Sequence, residues 1–165
     1  MDPGARRGAT ILLGTAGGAL LLDQVTKAFA VATLRDGSVD VIPGVLTFRF
    51  ATNTGGAFSL FSSAPWFFAA ASIVVSALIV LFSFRARPPS QALALGLVLG
   101  GALGNLADRV FRGPGFGGEV VDFIDLQIWP VFNLADSAIV VGALWLGLAS
   151  FSGRRGEAAG APADG

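Results

Sequence analysis

The sequence predicts an all-α membrane protein, with four transmembrane helices carrying a small extracytoplasmic β-sheet and a surface-lying segment. Three observations predict it. The 165 residues are 53% hydrophobic and only 13% charged, too apolar for an ordinary soluble domain. Charge-free runs at 8–22, 50–84, 88–107 and 137–153 supply four segments near the roughly 20 residues that a helix needs to cross a hydrocarbon core. The arginines at the ends of those runs fall on one side when four helices alternate, as the positive-inside rule requires.

In chain order, the first span is placed at about 9–31. It must run past Asp23 and Lys27, so it carries charge inside the membrane zone. An alternative for this stretch is a cleaved signal peptide, since Arg6 and Arg7 precede an apolar run and Ala28-Phe29-Ala30 has the small residues of a cleavage site. Removal would leave three spans, which cannot place all six flanking arginines on one side. Residues 33–63 follow as an outer segment. Val39 to Phe50, β-branched and aromatic around Pro43-Gly44, reads as a short hairpin or small sheet at the membrane surface. Asn53 to Gly56 turns the chain back toward the bilayer.

The second and third spans, about 64–84 and 89–109, are joined by the arginine-bearing turn at 85–90. Gly96, Gly100 and Gly104 recur every four residues on one face of the third span, and Gly14 with Gly18 repeats that spacing in the first. Both patterns predict close helix approach. Phe111 to Pro130 is the second outer segment, with four glycines between Gly113 and Gly118 and an interfacial Trp129. It is expected to be a mobile lid. The fourth span, about 133–152, carries Asp136 in its first turn. One domain, 1–153, is expected, with a disordered cytoplasmic tail at 154–165.

Orientation follows from Arg6, Arg7, Arg85, Arg87, Arg154 and Arg155, which place both termini in the cytoplasm. Asp23, Asp108, Asp122, Asp125 and Asp136 then gather toward the outer face. The sequence contains no cysteine and no histidine. That excludes thiolate nucleophiles, Ser-His-Asp triads and HExxH zinc sites, and leaves carboxylates, one lysine and hydroxyls to do any chemistry.

Asp23 and Lys27, four apart, share a helical face and suit an ion pair. Asn105 with Asp108, followed by Arg109, has the same Asn-x-x-Asp spacing as Asn133 with Asp136. Ionisable groups at membrane depth mark functional sites by default. Two close carboxylates can share a proton, so that one activates water while the other polarises a carbonyl. Spacing alone offers Asp23, Asp108, Asp122, Asp125 and Asp136 and does not choose among them. A buried polar network holding the helices in register is the competing account. Two other functions compete: a serine–lysine hydrolase built on Lys27 with Ser59 or Ser62, and a small transporter using the acids as an ion path. The acids lie at the outer ends of their spans, which opposes the second.

Five blocks, DQVTK at 23–27, NTGGAFS at 53–59, GNLADRV at 104–110, VVDFID at 120–125 and FNLADS at 132–137, resemble those of the lipoprotein signal peptidase family, bacterial membrane aspartic endopeptidases also called signal peptidase II. The blocks stand in the family's order, leaving only the termini and the RGPGFGG loop unmatched. The resemblance implies Asp122 and Asp136 as the catalytic pair. It implies Asp23, Lys27, Asn53, Gly56, Asn105, Asp108, Arg109 and Asn133 as residues that line or support the site, with Asn53 and Arg109 contacting substrate backbone or lipid headgroup, and Asp125 as structural. It further implies a substrate, a prolipoprotein with a diacylglyceryl-modified cysteine, cut on the amino side of that cysteine. No cofactor, metal or nucleic acid is implied. The setting would be the bacterial inner membrane, with lipid neighbours, the site near the outer leaflet and a monomeric enzyme.

Overall fold

In the computed structural model, residues 2–54, 65–85 and 87–159 are described. Four helices and three strands alternate in the order α1 (Pro3–Thr33), β1 (Ser38–Ile42), β2 (Leu46–Asn53), α2 (Pro65–Phe82), α3 (Pro89–Phe111), β3 (Val120–Asp125) and α4 (Leu134–Ala159). α1 opens with Asp2 accepting from the Ala5 amide and Pro3 in the first turn, a start that satisfies one otherwise orphaned donor. α3 likewise opens on proline.

α3 is the centre of the bundle and packs against α1, α4 and α2. Its glycines explain how closely. A Cβ on Gly100 would stand 2.6 Å from the Ala16 carbonyl oxygen, and one on Gly96 would stand 2.6 Å from that of Leu12, so only glycine admits α1 at this distance. Gly14 and Gly18 have nothing within 4 Å of a built Cβ, contrary to the expectation that they pack. The face of α1 turned to α3 is instead the backbone at Leu12 and Ala16 with the side chains of Thr15 and Ala19, which sit on the glycine stripe while Gly14 and Gly18 have open space.

By length and composition α1 and α3 suffice to cross a membrane, whereas α2 and the apolar part of α4, Leu134–Ala149, are shorter apolar helices. The four-span expectation is thus met in helix number, with two clear spans among the described residues. α4 is drawn to Ala159, past the expected end at 152 and into the expected tail. Its extension contains Arg154, Arg155 and Glu157, residue types of good helix propensity; residues 160–165 lie outside the described set.

The hairpin expected around Pro43-Gly44 is present, with Gly44 at φ 74° making the turn. The sheet is antiparallel, in the order β1-β2-β3. Its third strand falls inside the segment expected to be a lid: the middle of 111–130 pairs in the sheet as β3, buried at five of six positions. Val120, Val121, Phe123 and Ile124 favour a strand, and Phe132 bonds Ile124 to close the following loop. The glycine loop is also tied down. The Gly118 amide donates to the Arg109 carbonyl at 3.0 Å, and a Cβ there would meet the Asp108 and Arg109 carbonyls, so this glycine serves close approach. Phe48 and Phe123 meet edge to face at 6.3 Å over Ala30 and Leu34, seating the sheet on the end of α1.

Gly100→Val is expected to destabilise the bundle by about 1–3 kcal/mol through overpacking, read as a lower melting temperature in detergent. Gly17→Ala, with open space around it, is expected to leave melting unchanged.

Candidate active site

The site forms where the sheet meets the C-terminal end of α3 and the N-terminal end of α4. Asn133 precedes α4 and caps it. Its Oδ1 accepts from the Asp136 amide at 2.9 Å, while Asp136 Oδ2 accepts from the Asn133 amide at 3.3 Å. This reciprocal capping box fixes the Asp136 carboxyl against the start of its own helix. On β3, Phe123 packs toward α1, so strand alternation turns Asp122 to the opposite face, toward α3 and α4.

Neutral amides then join the two carboxyls. Asn133 Nδ2 donates to Asp122 Oδ1 at 2.7 Å and to Asn105 Oδ1 at 3.1 Å, Asn53 Nδ2 donates to Asp122 Oδ2 at 3.2 Å, and Asn105 Nδ2 donates to Asp136 Oδ1 at 2.8 Å. One residue, Asn133, thus holds Asp122 by its side chain and Asp136 by its main chain. Burial pushes the Asp122 carboxyl up to about 7, and the charge of Asp136 adds to the rise, against the pull of the Asn53 and Asn133 donors and the more distant Lys27.

Asp23, Lys27 and Asp108 form a separate cluster. The Lys27 ammonium lies 2.9 Å from Asp23 Oδ2 and 2.9 Å from Asp108 Oδ2, all three side chains being fully buried. The expected Asp23–Lys27 pair therefore has a second acid, and Arg112 completes it at 2.7 Å from Asp108 Oδ1. Asp125 stands apart, paired with Arg49, whose guanidinium holds its carboxyl below the usual carboxylate range, assisted by the Gln127 amide.

Beside Asp136 lies a cleft of about 340 Å³ walled by Asn53, Asn105, Arg109 and Asp136 on its polar side and by Phe68, Trp129, Ile139 and Val140 among its apolar residues. Asp122, only 2% exposed, does not line it directly; its bonded partner Asn53 does. Arg109 is 5.5 Å from the Phe68 ring centre and donates to the Thr54 carbonyl at 3.4 Å.

The structure thus brings together Asp122, Asp136, Asn53, Asn105, Asn133 and Arg109, with Asp23, Lys27 and Asp108 one layer behind. Gly56, Ser59 and Ser62 lie outside the described residues. Sequence reasoning missed Gln24, whose amide donates to Asp23, Asp108 and the Gly104 carbonyl, although it stands between Asp23 and Lys27 in the first block. Phe68 and Ser72 on the cleft wall had no signal in an unbroken apolar run.

A family model described as signal peptidase (SPase) II matches residues 15–152. The lipoprotein signal peptidase of Rhodococcus jostii (strain RHA1) is 45% identical over 138 residues, 82% of this chain and 70% of that protein. That of Syntrophomonas wolfei subsp. wolfei is 43% identical over 141 residues, 84% of this chain and 91% of its own length. A solved structure, described as a bacterial membrane enzyme determined by the in meso method at 2.3 Å, superposes with a TM-score of 0.76 at 32% identity, covering 86% of this chain and 87% of that one.

The Asp122 carboxyl is expected to titrate near neutrality. Infrared difference spectra of the detergent-purified protein should show a protonated carboxyl band that disappears as pH rises through about 7, and the band should be missing from Asp122→Asn.

Proposed function

Because the chain belongs to the signal peptidase II family, we propose that it is a membrane aspartic endopeptidase that removes signal peptides from diacylglyceryl-modified prolipoproteins, with Asp122 and Asp136 as its catalytic pair. The observation that carries the reading is the bridging of these two acids by Asn133 beside a cleft with an apolar wall.

The pair works with one proton between them. The ionised carboxylate takes a proton from a water whose oxygen adds to the carbonyl carbon preceding the lipidated cysteine. The protonated carboxyl gives its proton to the carbonyl oxygen. A gem-diol results, and the pair again holds one proton. Collapse breaks the C–N bond, with one diol proton returning to the pair and one proton passing to the departing nitrogen. The products are the signal peptide's carboxylic acid and a cysteine amine, so one water is consumed and no cofactor or metal is required. Titration of Asp122 near 7 suits a pair that keeps one proton at neutral pH.

Arg109 and Asn53, on the polar wall, are assigned to substrate main chain or lipid headgroup. The apolar wall takes the lipid-bearing side. α2 leaves Val74, Leu78 and Leu81 between 49% and 68% exposed, apolar surface that lipid would cover. We therefore place four crossings in the bacterial inner membrane, with both termini and residues 85–90 cytoplasmic and the sheet outside. We read the enzyme as a monomer, since one chain supplies both acids of the pair and the asparagines that join them. The serine–lysine alternative loses its base, because Lys27 is held by two carboxylates.

Asp122→Asn and Asp136→Asn are each expected to cut turnover on the order of 10⁴-fold, the scale of an Asp-to-Asn change in a catalytic triad, while leaving substrate affinity intact. Asp125→Asn should keep most activity. Cleavage of a diacylglyceryl-modified precursor, beside the same precursor without lipid, checks both claims; parental turnover in either dyad variant refutes the pair. For orientation, cysteines introduced at Ser38, Gly115 and Ser90 can be probed with an impermeant thiol reagent. In cells with a permeabilised outer envelope, labelling is expected at the first two positions and not at Ser90→Cys.

A further inference from the structure

Lys27 is bonded to neither acid of the pair, yet both depend on it. Asp23, which it holds through Oδ2, accepts the Ala135 amide on Oδ1 at 2.9 Å. Ala135 directly precedes Asp136. Asp108, which it holds through Oδ2, accepts the Val121 amide on the same oxygen at 3.2 Å. Val121 directly precedes Asp122. The ammonium also donates to Asn105 Oδ1 at 2.9 Å, which fixes the orientation in which Asn105 Nδ2 reaches Asp136.

We propose that Lys27 is a positioning residue for the cleavage reaction, a crossbar that sets the separation and orientation of Asp122 and Asp136 by holding Asp23, Asp108 and Asn105 together. The inference rests on the reading of Asp122 and Asp136 as the catalytic pair. Two helices distant in sequence meet at one ammonium, and their carboxylates extend its hold to two further segments. α1 supplies Asp23 and Lys27, α3 supplies Asn105 and Asp108, and the two captured amides lie on α4 and β3. Gln24 ties the same two carboxylates from the side.

Without the lysine, buried Asp23 and Asp108 face one another with Arg112 on Asp108 as the remaining cation of the cluster, and one negative charge is left unbalanced. They can then relieve the repulsion only by taking up protons or moving apart. Either change loosens the hold on Ala135 and Val121 and shifts the reacting carboxyls. A displacement near 1 Å costs roughly 10²-fold in rate.

The test uses the full-length chain in detergent with a diacylglyceryl-modified precursor peptide, reading kcat and KM per folded molecule well below the melting transition. Lys27→Met and Asp23→Ala are each expected to lower kcat by about 10²-fold with KM unchanged. A role confined to folding would lower the melting temperature and leave kcat intact. Parental kcat in either variant, a defect confined to KM, or failure of both to fold overturns the proposal. Asp122→Asn and Asp136→Asn are assayed alongside. If they cleave normally, the catalytic pair itself is wrong; if they are inactive while Lys27→Met turns over normally, only the crossbar is.

Discussion

A lysine with no exposed surface, inside a bundle built from apolar helices, constrains nearly everything around it. Removing such a charge from water costs several kcal/mol or more unless its partners are close and themselves fully bonded. Lys27 meets that demand with two carboxylates at 2.9 Å. Their remaining capacity is filled by Gln24, Arg112 and two main-chain amides. Two cations and two anions make the cluster neutral as a whole. The helices must approach closely enough for these contacts, and Gly104 records the requirement: a Cβ there would meet Asp23 Oδ2 at 2.5 Å and Ala135 Cβ at 3.4 Å. The glycine stripe of α3 is therefore tied to the charge cluster as much as to helix packing.

The protein surrounds its buried acids in two ways, and the contrast fits the proposed division between support and chemistry. Asp23 and Asp108 are given cations. Among the described residues Asp122 is hydrogen-bonded by asparagine amides and neighboured by a carboxyl, with no ion pair of its own, and burial raises it to about 7. Amides can donate to a carboxylate or turn an oxygen to a carboxylic acid, so they tolerate a change of proton count that an ammonium would oppose. A pair intended to pass protons suits amide surroundings, and a pair intended to stay fixed suits cations. Asp125, with Arg49 beside it, follows the second pattern and lies outside the site.

Helix positions were legible in the sequence because hydrophobic length and charge placement act within one segment. The hairpin at Gly44 was legible for the same reason. The family blocks then singled out Asp122 and Asp136, which spacing could not do. Contacts between segments were not legible. Lys27 was matched to Asp23, four residues away, while its bond to Asp108 spans about half the chain. β3 was read as part of a lid, because its partner β2 lies some 70 residues earlier and an apolar run does not announce what it pairs with. Gly14 and Gly18 show the converse error, since a glycine spacing reports an available face without saying whether a neighbour occupies it.

The strand that sequence reasoning missed decides where one acid of the proposed pair points. Side chains alternate along β3, so a slip of one residue would bring Val121 or Phe123 to the face that Asp122 now presents to α4. Three features hold the register. Phe123 stacks on Phe48 and packs over the end of α1, Asp125 is bound to Arg49 across the strands, and Asp108 takes the Val121 amide. The β2–β3 ladder is irregular between Phe48 and Ala51, and past that irregularity Ala51, a small residue, stands opposite Asp122. A bulge of this kind is a common way to re-aim a side chain beside a functional site. The sheet therefore acts as a mount, bringing a carboxyl from β3 to the start of α4, where Asn133 joins it to Asp136.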